Sequence, residues 1–243
     1  MTPGSAFTVA AYLVGALVFW ARARQKRVAT HGFALLGIWA LCGGVLGAKA
    51  VEWTSVLGWG WWQRPLEFFS LQSGGRTILG GVLGGWLGVE LGKRRLGIRR
   101  STGDLFALAI PAGEAVGRIG CHFNGCCYGK VCALPFAIYQ HGAWRHPAQI
   151  YAALASAVIF VLLWRARDRW PHEGDAWKAF LVLWGAARFI IEALRAHDAP
   201  ASRGGISSAQ WLCLALVVLG AVLLWRARRF DRRRVAIGTS PST

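Results

Sequence analysis

The residues with the clearest chemical potential lie in one run of the chain, "GRIGCHFNGCCYGK", at positions 117–130. If a helix extends into the middle of this run, Arg118, Cys121, His122 and Gly125 stand at i, i+3, i+4 and i+7 and share one helix face. A guanidinium, a thiol and an imidazole would then lie side by side. Such a group can bind an anion, activate a thiol or carry a proton.

The cysteines of this region allow three interpretations. Four thiols and one imidazole fall within twelve residues, namely Cys121, His122, Cys126, Cys127 and Cys132. A disulfide is the first interpretation, because an oxidising compartment favours it. A reactive thiolate activated by Arg118 and His122 is the second. A metal site is the third and least favoured interpretation, because the spacing matches no common zinc pattern.

Several charged residues interrupt otherwise apolar stretches. They are Lys49, Glu52, Arg76, Arg118 and the pair Arg188 and Glu192. Charges in such places are costly and usually face a cavity or a partner. Arg188 and Glu192 are four residues apart, which predicts one helix face and either a structural ion pair or a site. Arg118 and Arg76 have no obvious carboxylate nearby in sequence, which favours binding of an anion such as phosphate.

Membrane helices are the elements that must position these residues. The chain of 243 residues is 55% hydrophobic and only 16% charged, with a mean hydropathy of +0.39. A typical soluble domain is about 25% charged. The composition excludes a disordered chain, a collagen-like chain and a small disulfide scaffold. Seven stretches are apolar and long enough to span a bilayer: 6–21, 32–52, 76–92, 104–123, 147–164, 176–195 and 206–225.

Basic residues predict the orientation of these segments. The net charge is +17, and 18 of the 28 Lys and Arg residues fall in clusters at 22–27, 93–100, 165–169 and 226–234. The clusters follow the first, third, fifth and seventh segments and therefore lie on one side. The positive-inside rule makes that side the cytoplasm. We predict an all-α membrane protein of seven transmembrane helices, with its N-terminus outside and its C-terminus cytoplasmic.

The predicted organisation is a single domain, 1–243, with a basic cytoplasmic tail at 226–243. The outer loops are 53–75, 124–146 and 196–205, and the stretch 59–69 is a candidate short amphipathic helix at the interface. The Gly-rich third segment predicts close helix packing. Nucleic acid is not an expected partner, because no domain that could read it remains once the helices are assigned.

The order of these motifs resembles the prolipoprotein diacylglyceryl transferase family over nearly the whole chain. The matching stretches are "AYLVG" at 11–15, "VLGAKAVEW" at 45–53, "SGGRTILGG" at 73–81, "GDLFALAIPAGEAVGRIGCHFNG" at 103–125, "LPFAIY" at 134–139, "RHPAQIY" at 145–151, "WGAARFIIEALR" at 184–195 and "GGISSAQWL" at 204–212. Seven spans with the N-terminus outside is also the topology of that family.

The resemblance implies transfer of the diacylglyceryl group of phosphatidylglycerol to a cysteine thiol of a prolipoprotein in a bacterial cytoplasmic (inner) membrane. The same resemblance implies no metal and no other cofactor. The expected partners are phosphatidylglycerol or a similar phospholipid, the prolipoprotein and the membrane itself. The candidate catalytic residues are Arg118, Cys121, His122, Cys126, Arg188 and Glu192. The candidate substrate-binding residues are Tyr12, Lys49, Arg76, Asn124, Gly129, His146, Gln149 and Tyr151.

The chain departs from the family pattern where the family carries polar groups. Leu79 stands at the position of the family's histidine, Cys121 at that of an asparagine, Cys126 at that of a glutamate and Trp184 at that of a tyrosine. Leucine cannot take a proton, so the usual general base is absent. His122 or Glu192 could replace it.

These departures leave three hypotheses. The first is an enzyme of this family with a rearranged base. The second is a related membrane transferase that joins a phospholipid to a different acceptor, with a cysteine nucleophile. The third is a thiol-redox or binding protein built on the same bundle.

Overall fold

Seven helices and one β-hairpin make up the described part of the chain. The structure, a computed structural model, describes residues 3–27, 31–57, 78–196 and 206–236. The helices are α1 (Pro3–Gln25), α2 (His31–Leu57), α3 (Ile78–Leu96), α4 (Gly103–Phe123), α5 (Ala148–Ala166), α6 (Asp175–Leu194) and α7 (Ser208–Ala236). The strands are β1 (Ile138–Gln140) and β2 (Ala143–Arg145).

Each predicted apolar segment corresponds to one helix, so the helical class is confirmed. Among the described residues, three helical stretches are candidate membrane spans by length and composition: Pro3–Gln25, Ala148–Ala166 and Ala209–Arg229. Leu35–Val51 is a shorter apolar stretch within α2. α4 and α6 carry the buried charged residues of the site. The candidate helix at 59–69 lies outside the described residues.

The first of two compact units comprises residues 1–22 and 101–243. Its core contains Leu108 of α4, Leu163 of α5 and Phe180 of α6, all at most 2% exposed. α1 packs on α4 through the rings of Phe19 and Phe106, whose centroids are 4.9 Å apart. Apolar side chains thus surround the polar groups that α4 and α6 bring together.

Successive helices of this unit run in opposite directions, so contacts between helix ends occur at both ends of the unit. At one end, Arg22 of α1 binds Asp168 after α5 at 2.6 Å, and the Gly174 amide before α6 donates to Asp104 at the start of α4. At the opposite end, the Lys130 amide donates to the Leu194 carbonyl at the end of α6. The predicted cytoplasmic clusters at 22–27 and 165–169 therefore begin at the same end of the unit.

The β-hairpin lies between α4 and α5, in the region predicted as an outer loop. Its strands are antiparallel, with Ile138 opposite Arg145. The turn consists of His141 and Gly142, which both have positive φ. This is the backbone that a two-residue hairpin loop requires. Tyr139 and Trp144 are exposed and pack edge to face.

The second compact unit, residues 23–100, is built on the packing of α2 against α3. Glycines make this contact possible: a Cβ built at Gly84 would lie 2.3 Å from the Gly43 carbonyl oxygen. The predicted close packing of the Gly-rich segment is confirmed. Lys93 donates to Glu90 at 3.0 Å near the basic end of α3.

Candidate active site

Arg118 of α4 is buried and paired. It is 3% exposed, and its guanidinium donates twice to the Glu114 carboxylate, at 3.0 and 3.1 Å. The expectation that Arg118 lacks a nearby carboxylate was therefore wrong. Glu114 lies one turn earlier on the same face of α4, where i, i+4 neighbours meet.

Glu114 joins three helices through its carboxylate. Oε2 accepts a hydrogen bond from the Ser156 hydroxyl of α5 at 3.1 Å and another from the Trp184 indole of α6. Trp184 is 2% exposed, and a buried indole N–H needs such an acceptor. With Arg118 on its other oxygen, the carboxylate is well satisfied and its position is fixed.

α6 carries a second charged row. Arg188 Nη2 lies 2.7 Å from Glu192 Oε2, which confirms the predicted shared face. Arg195, one turn further on, lies 3.4 Å from Glu192 Oε1. Glu192 is 2% exposed, so both arginines neutralise a carboxylate that would be costly to bury alone.

We call Glu114, Arg118, Arg188, Glu192 and Arg195 the arginine–glutamate cluster. Arg188 lies within electrostatic range of the other four. Three guanidinium groups accompany two carboxylates, so the cluster carries an excess positive charge. In a buried place this excess favours an anion.

A small cavity opens beside this cluster between α4, α5 and α6. Its polar lining comes from Glu114, Ser156, Trp184 and Arg188, and its apolar lining from alanines and isoleucines of α5 and α6. Nε of Arg188 is buried and has no hydrogen-bond partner within the described ranges. A buried donor of this kind is costly unless a ligand or water satisfies it.

Three thiols converge where α4 ends. α4 continues to Phe123 as the sequence analysis required, so Cys121 lies in its last turn. The chain then bends back at Gly125, and the Cys126 amide donates to the Cys121 carbonyl at 3.1 Å. The sulfur atoms of Cys121, Cys126 and Cys127 all lie within 4.8 Å of one another. All six cysteines of the chain are free thiols.

The turn makes the last two thiols chemically unequal. Hydrogen bonds with the Cys121 and Cys126 thiols lower the pKa of Cys127, and the positive charges of Arg195 and Arg118 lower it further. Hydrogen bonds with Cys121 and Cys127 raise the pKa of Cys126 above its ordinary range. Cys127 is therefore more acidic than Cys126. The Arg195 guanidinium donates to its sulfur at 3.3 Å.

Buried amides hold this turn in place. Gln149 is 1% exposed, and its side-chain nitrogen donates to the Cys126 carbonyl at 2.9 Å and to Gln140 Oε1 at 3.1 Å. The Gln140 amide nitrogen in turn lies 3.3 Å from His122 Nδ1. Gln149 and His122, both predicted site residues, thus belong to the scaffold around the thiols.

The predicted binding residues of the following motif form a neighbouring group. His146 Nδ1 lies 3.4 Å from the Tyr151 hydroxyl. Gly129 makes a β-bridge with Arg195, and a Cβ built on Gly129 would lie 2.4 Å from the His146 carbonyl oxygen. The missing side chain therefore permits the approach that ties this loop to the end of α6.

Three other predicted site residues lie on α1, on α2 and at the end of α4. Asn124 ends α4, with its amide against the backbone of Gly4. Tyr12 is 63% exposed on α1, and Lys49 is half-buried on α2 in the second unit. Arg76 lies outside the described residues.

Sequence reasoning missed three members of the site as individuals. Glu114 and Arg195 could have been found by helical spacing, four residues before Arg118 and three after Glu192. Cys127 was recognised only as one of a cluster. The position of Cys127 beside the other two thiols depends on its positive φ of 61°, which the amino-acid sequence does not predict.

Comparisons with known proteins identify the family of the chain. The sequence profile of the family described as prolipoprotein diacylglyceryl transferase matches residues 5–226. The chain is 38% identical to the phosphatidylglycerol–prolipoprotein diacylglyceryl transferase of Paracidovorax citrulli, over 70% of this chain and 67% of that protein. It is 32% identical to the proteins of the same name from Idiomarina loihiensis (87% and 83% covered) and Bordetella bronchiseptica (89% of each). The chain therefore belongs to the prolipoprotein diacylglyceryl transferase family of membrane enzymes.

Proposed function

We propose that the protein transfers the diacylglyceryl group of phosphatidylglycerol to a cysteine thiol of a prolipoprotein. The names of its relatives state this activity for those proteins. In the proposed reaction the acceptor sulfur bonds to the terminal glycerol carbon of the lipid, the bond between that carbon and the phosphate oxygen breaks, and glycerol phosphate leaves. The acceptor thiol loses its proton.

The observation that supports this proposal most strongly is Nε of buried Arg188, which lies beside the cavity and has no hydrogen-bond partner in the part of the chain that the structure describes. A phospholipid brings a phosphate anion into an apolar environment, and a guanidinium is well suited to bind two phosphate oxygens. The excess positive charge of the arginine–glutamate cluster would attract that anion.

The cluster also suits the step in which charge moves. As the carbon–oxygen bond breaks, negative charge grows on the leaving phosphate. Guanidinium groups held in place beforehand stabilise that charge without reorganising. Glu114 and Glu192 fix Arg118 and Arg188 by charge-assisted contacts of 3.0 and 2.7 Å. We assign Arg118 and Arg188 the role of phosphate ligands and the two glutamates a positioning role.

The proposed location is the bacterial cytoplasmic membrane, with all seven helices spanning it. The N-terminus is outside, and the basic tail that begins at 226 is cytoplasmic. The alternating helix ends of the first unit support this assignment, as does the location of the basic clusters. The thiols and the hairpin then lie on the outer side, where a secreted prolipoprotein would arrive.

The test is a transfer assay with the purified full-length protein in lipid nanodiscs. Phosphatidylglycerol labelled in its acyl chains and a peptide with one lipobox cysteine are the substrates, and mass spectrometry detects the thioether. A peptide with serine in place of that cysteine is the control. Absence of the thioether, with consumption of phosphatidylglycerol, would favour transfer to a different acceptor.

A further inference from the structure

We infer that Cys121, Cys126 and Cys127 form a zinc site whose fourth position binds the acceptor thiol of the prolipoprotein. The inference rests on the proposed function for the identity of that fourth ligand. The site itself rests on the geometry of the three thiols.

The number of converging sulfur atoms favours a metal site over a disulfide. A disulfide requires two cysteines, whereas three sulfur atoms here lie within 4.8 Å of one another. Zn–S bonds of about 2.3 Å in a tetrahedral site separate neighbouring sulfurs by about 3.8 Å. The three thiols could therefore bind one ion with small side-chain rotations. Zinc is a preferred metal of thiolate donors.

A strained backbone brings the thiols together. Cys127 has a φ of 61°, a left-handed conformation that is strained for a residue other than glycine. Hydrogen bonds hold the bend on both sides: the Cys126 amide donates to the Cys121 carbonyl, and the buried Gln149 side chain donates to the Cys126 carbonyl. Strain that is maintained in this way is typical of sites that bind a ligand.

Positive charge near the thiols would complement a zinc–thiolate complex. Zinc with three thiolates has a net charge of −1. Arg195 donates to the Cys127 sulfur at 3.3 Å, and Arg118 is within electrostatic range of the same thiol. Hydrogen bonds to ligand atoms and nearby opposite charge are the usual support of a metal site. The guanidinium groups would therefore offset the negative charge of the complex.

The fourth position follows from the donors available. Within the ranges that the structure describes, the group contains three thiols and no fourth His, Cys or carboxylate donor. Catalytic zinc sites characteristically have three protein ligands and leave the fourth position to water or substrate. A thiol that binds zinc loses its proton. Here the proton of the acceptor thiol would pass to water, and the zinc-bound sulfur would keep its nucleophilic electron pair.

Arg195 connects this site to the phosphate ligands. One nitrogen of its guanidinium contacts Cys127, and the other contacts Glu192, the partner of Arg188. An acceptor thiolate on the zinc would therefore lie next to the group that binds the lipid phosphate. The sulfur then attacks the glycerol carbon, the carbon–oxygen bond breaks, and glycerol phosphate departs with the electron pair while zinc remains divalent.

The experiment uses the full-length protein purified under reducing conditions, with metal content measured by inductively coupled plasma mass spectrometry. We expect one zinc ion per chain in the parent protein and in Cys132→Ser, and loss of zinc in Cys121→Ser, Cys126→Ser and Cys127→Ser. Cobalt substituted for zinc should give a sulfur-to-metal charge-transfer band that changes on adding the lipobox peptide and not its serine analogue. Circular dichroism checks that each variant is folded.

The transfer assay separates the two proposals. We expect chelation to lower turnover at least 100-fold and added zinc to restore it. Full turnover of zinc-free protein, or a folded parent protein that binds neither zinc nor cobalt, would overturn the zinc site and leave the transferase assignment intact. Bound zinc and a peptide-dependent cobalt spectrum without thioether formation from any phospholipid would overturn the transferase assignment instead. A cobalt spectrum indifferent to the peptide would overturn the role of the fourth position.

Discussion

The helices of the two compact units pack through different kinds of contact. In the second unit, α2 and α3 approach each other through glycine backbones, and the backbone at Gly43 is almost in contact with the backbone at Gly84. In the first unit, α4, α5 and α6 are joined by a buried carboxylate, Glu114, that accepts from all three helices. Packing through glycines requires that the surfaces of the two helices match closely in shape, and it tolerates no added side-chain atom. A buried polar network is costly unless satisfied, and it places charged groups where chemistry requires them. The difference indicates that the first unit carries the charge-dependent chemistry.

The largest expected effect is the loss of Arg118. We predict that Arg118→Ala lowers turnover by about 100- to 1,000-fold, because it removes a fixed donor to the developing phosphate charge. Arg118→Lys should recover little, since an ammonium cannot reproduce the two-nitrogen contact. The transfer assay in nanodiscs measures both.

A second variant separates folding from catalysis at this position. Arg118→Ala leaves Glu114 charged and short of one partner, so it also destabilises the bundle. Arg118→Ala combined with Glu114→Gln removes that charge and should recover thermal stability without recovering turnover. Substantial activity in either variant would contradict the phosphate-ligand role of Arg118.

The Arg188–Glu192 pair on α6 offers the next test of the arginine–glutamate cluster. Arg188→Ala and Glu192→Ala should each lower turnover, and the double variant should lose less than the two single losses combined. We expect a coupling of about 0.5–3 kcal/mol, typical of residues in direct contact. A double-mutant cycle on kcat/KM supplies the measurement. Simple additivity would mean that the two residues act independently.

The glycine-packed unit should respond to volume. Gly43→Ala adds a methyl group 2.4 Å from the Gly84 carbonyl oxygen, whereas a Cβ at Gly37 meets nothing within 4 Å. We predict that Gly43→Ala destabilises the protein by about 1–3 kcal/mol and that Gly37→Ala is nearly neutral. Thermal unfolding in detergent compares them. Equal melting temperatures would contradict the described α2–α3 contact.

The smallest change concerns thiol reactivity. The lowered pKa of Cys127 means that its thiolate persists as the pH falls, so its alkylation should decline less between about pH 8 and pH 6 than that of an ordinary free thiol. An impermeant maleimide on intact, chelator-treated cells, followed by peptide mass spectrometry, gives the alkylation rate at each pH. Arg195→Gln should make the decline steeper. Labelling confined to inverted vesicles would reverse the proposed topology.

Much of the fold could be predicted because apolar runs and basic clusters are properties of contiguous sequence. All seven helices were expected, although α3 extends to Leu96 and α7 to Ala236, beyond the predicted segments. The β-hairpin was missed, since three-residue strands between Pro135 and Pro147 give no clear alternating pattern.

Only part of the site could be predicted, because some of its contacts follow from helical spacing and others from tertiary structure. Arg188 and Glu192 follow from i, i+4 spacing, and the same rule would have paired Arg118 with Glu114. The convergence of the three thiols depends on the backbone angles at Gly125 and Cys127 and on a hydrogen bond from Gln149. Such tertiary effects are not encoded in the spacing of the cysteines.

The turn of the hairpin has a pharmacological consequence. His141 Nε2 lies 2.7 Å from the carbonyl oxygen of Gly125, and its ring packs 4.3 Å from that of Tyr128. The residue at the exposed tip therefore supports the bend that precedes Cys126. A nanobody that bound His141 from the aqueous side would break these contacts and remove the support of the bend. In the proposed orientation, such a molecule could inhibit the enzyme without crossing the lipid or competing with either substrate.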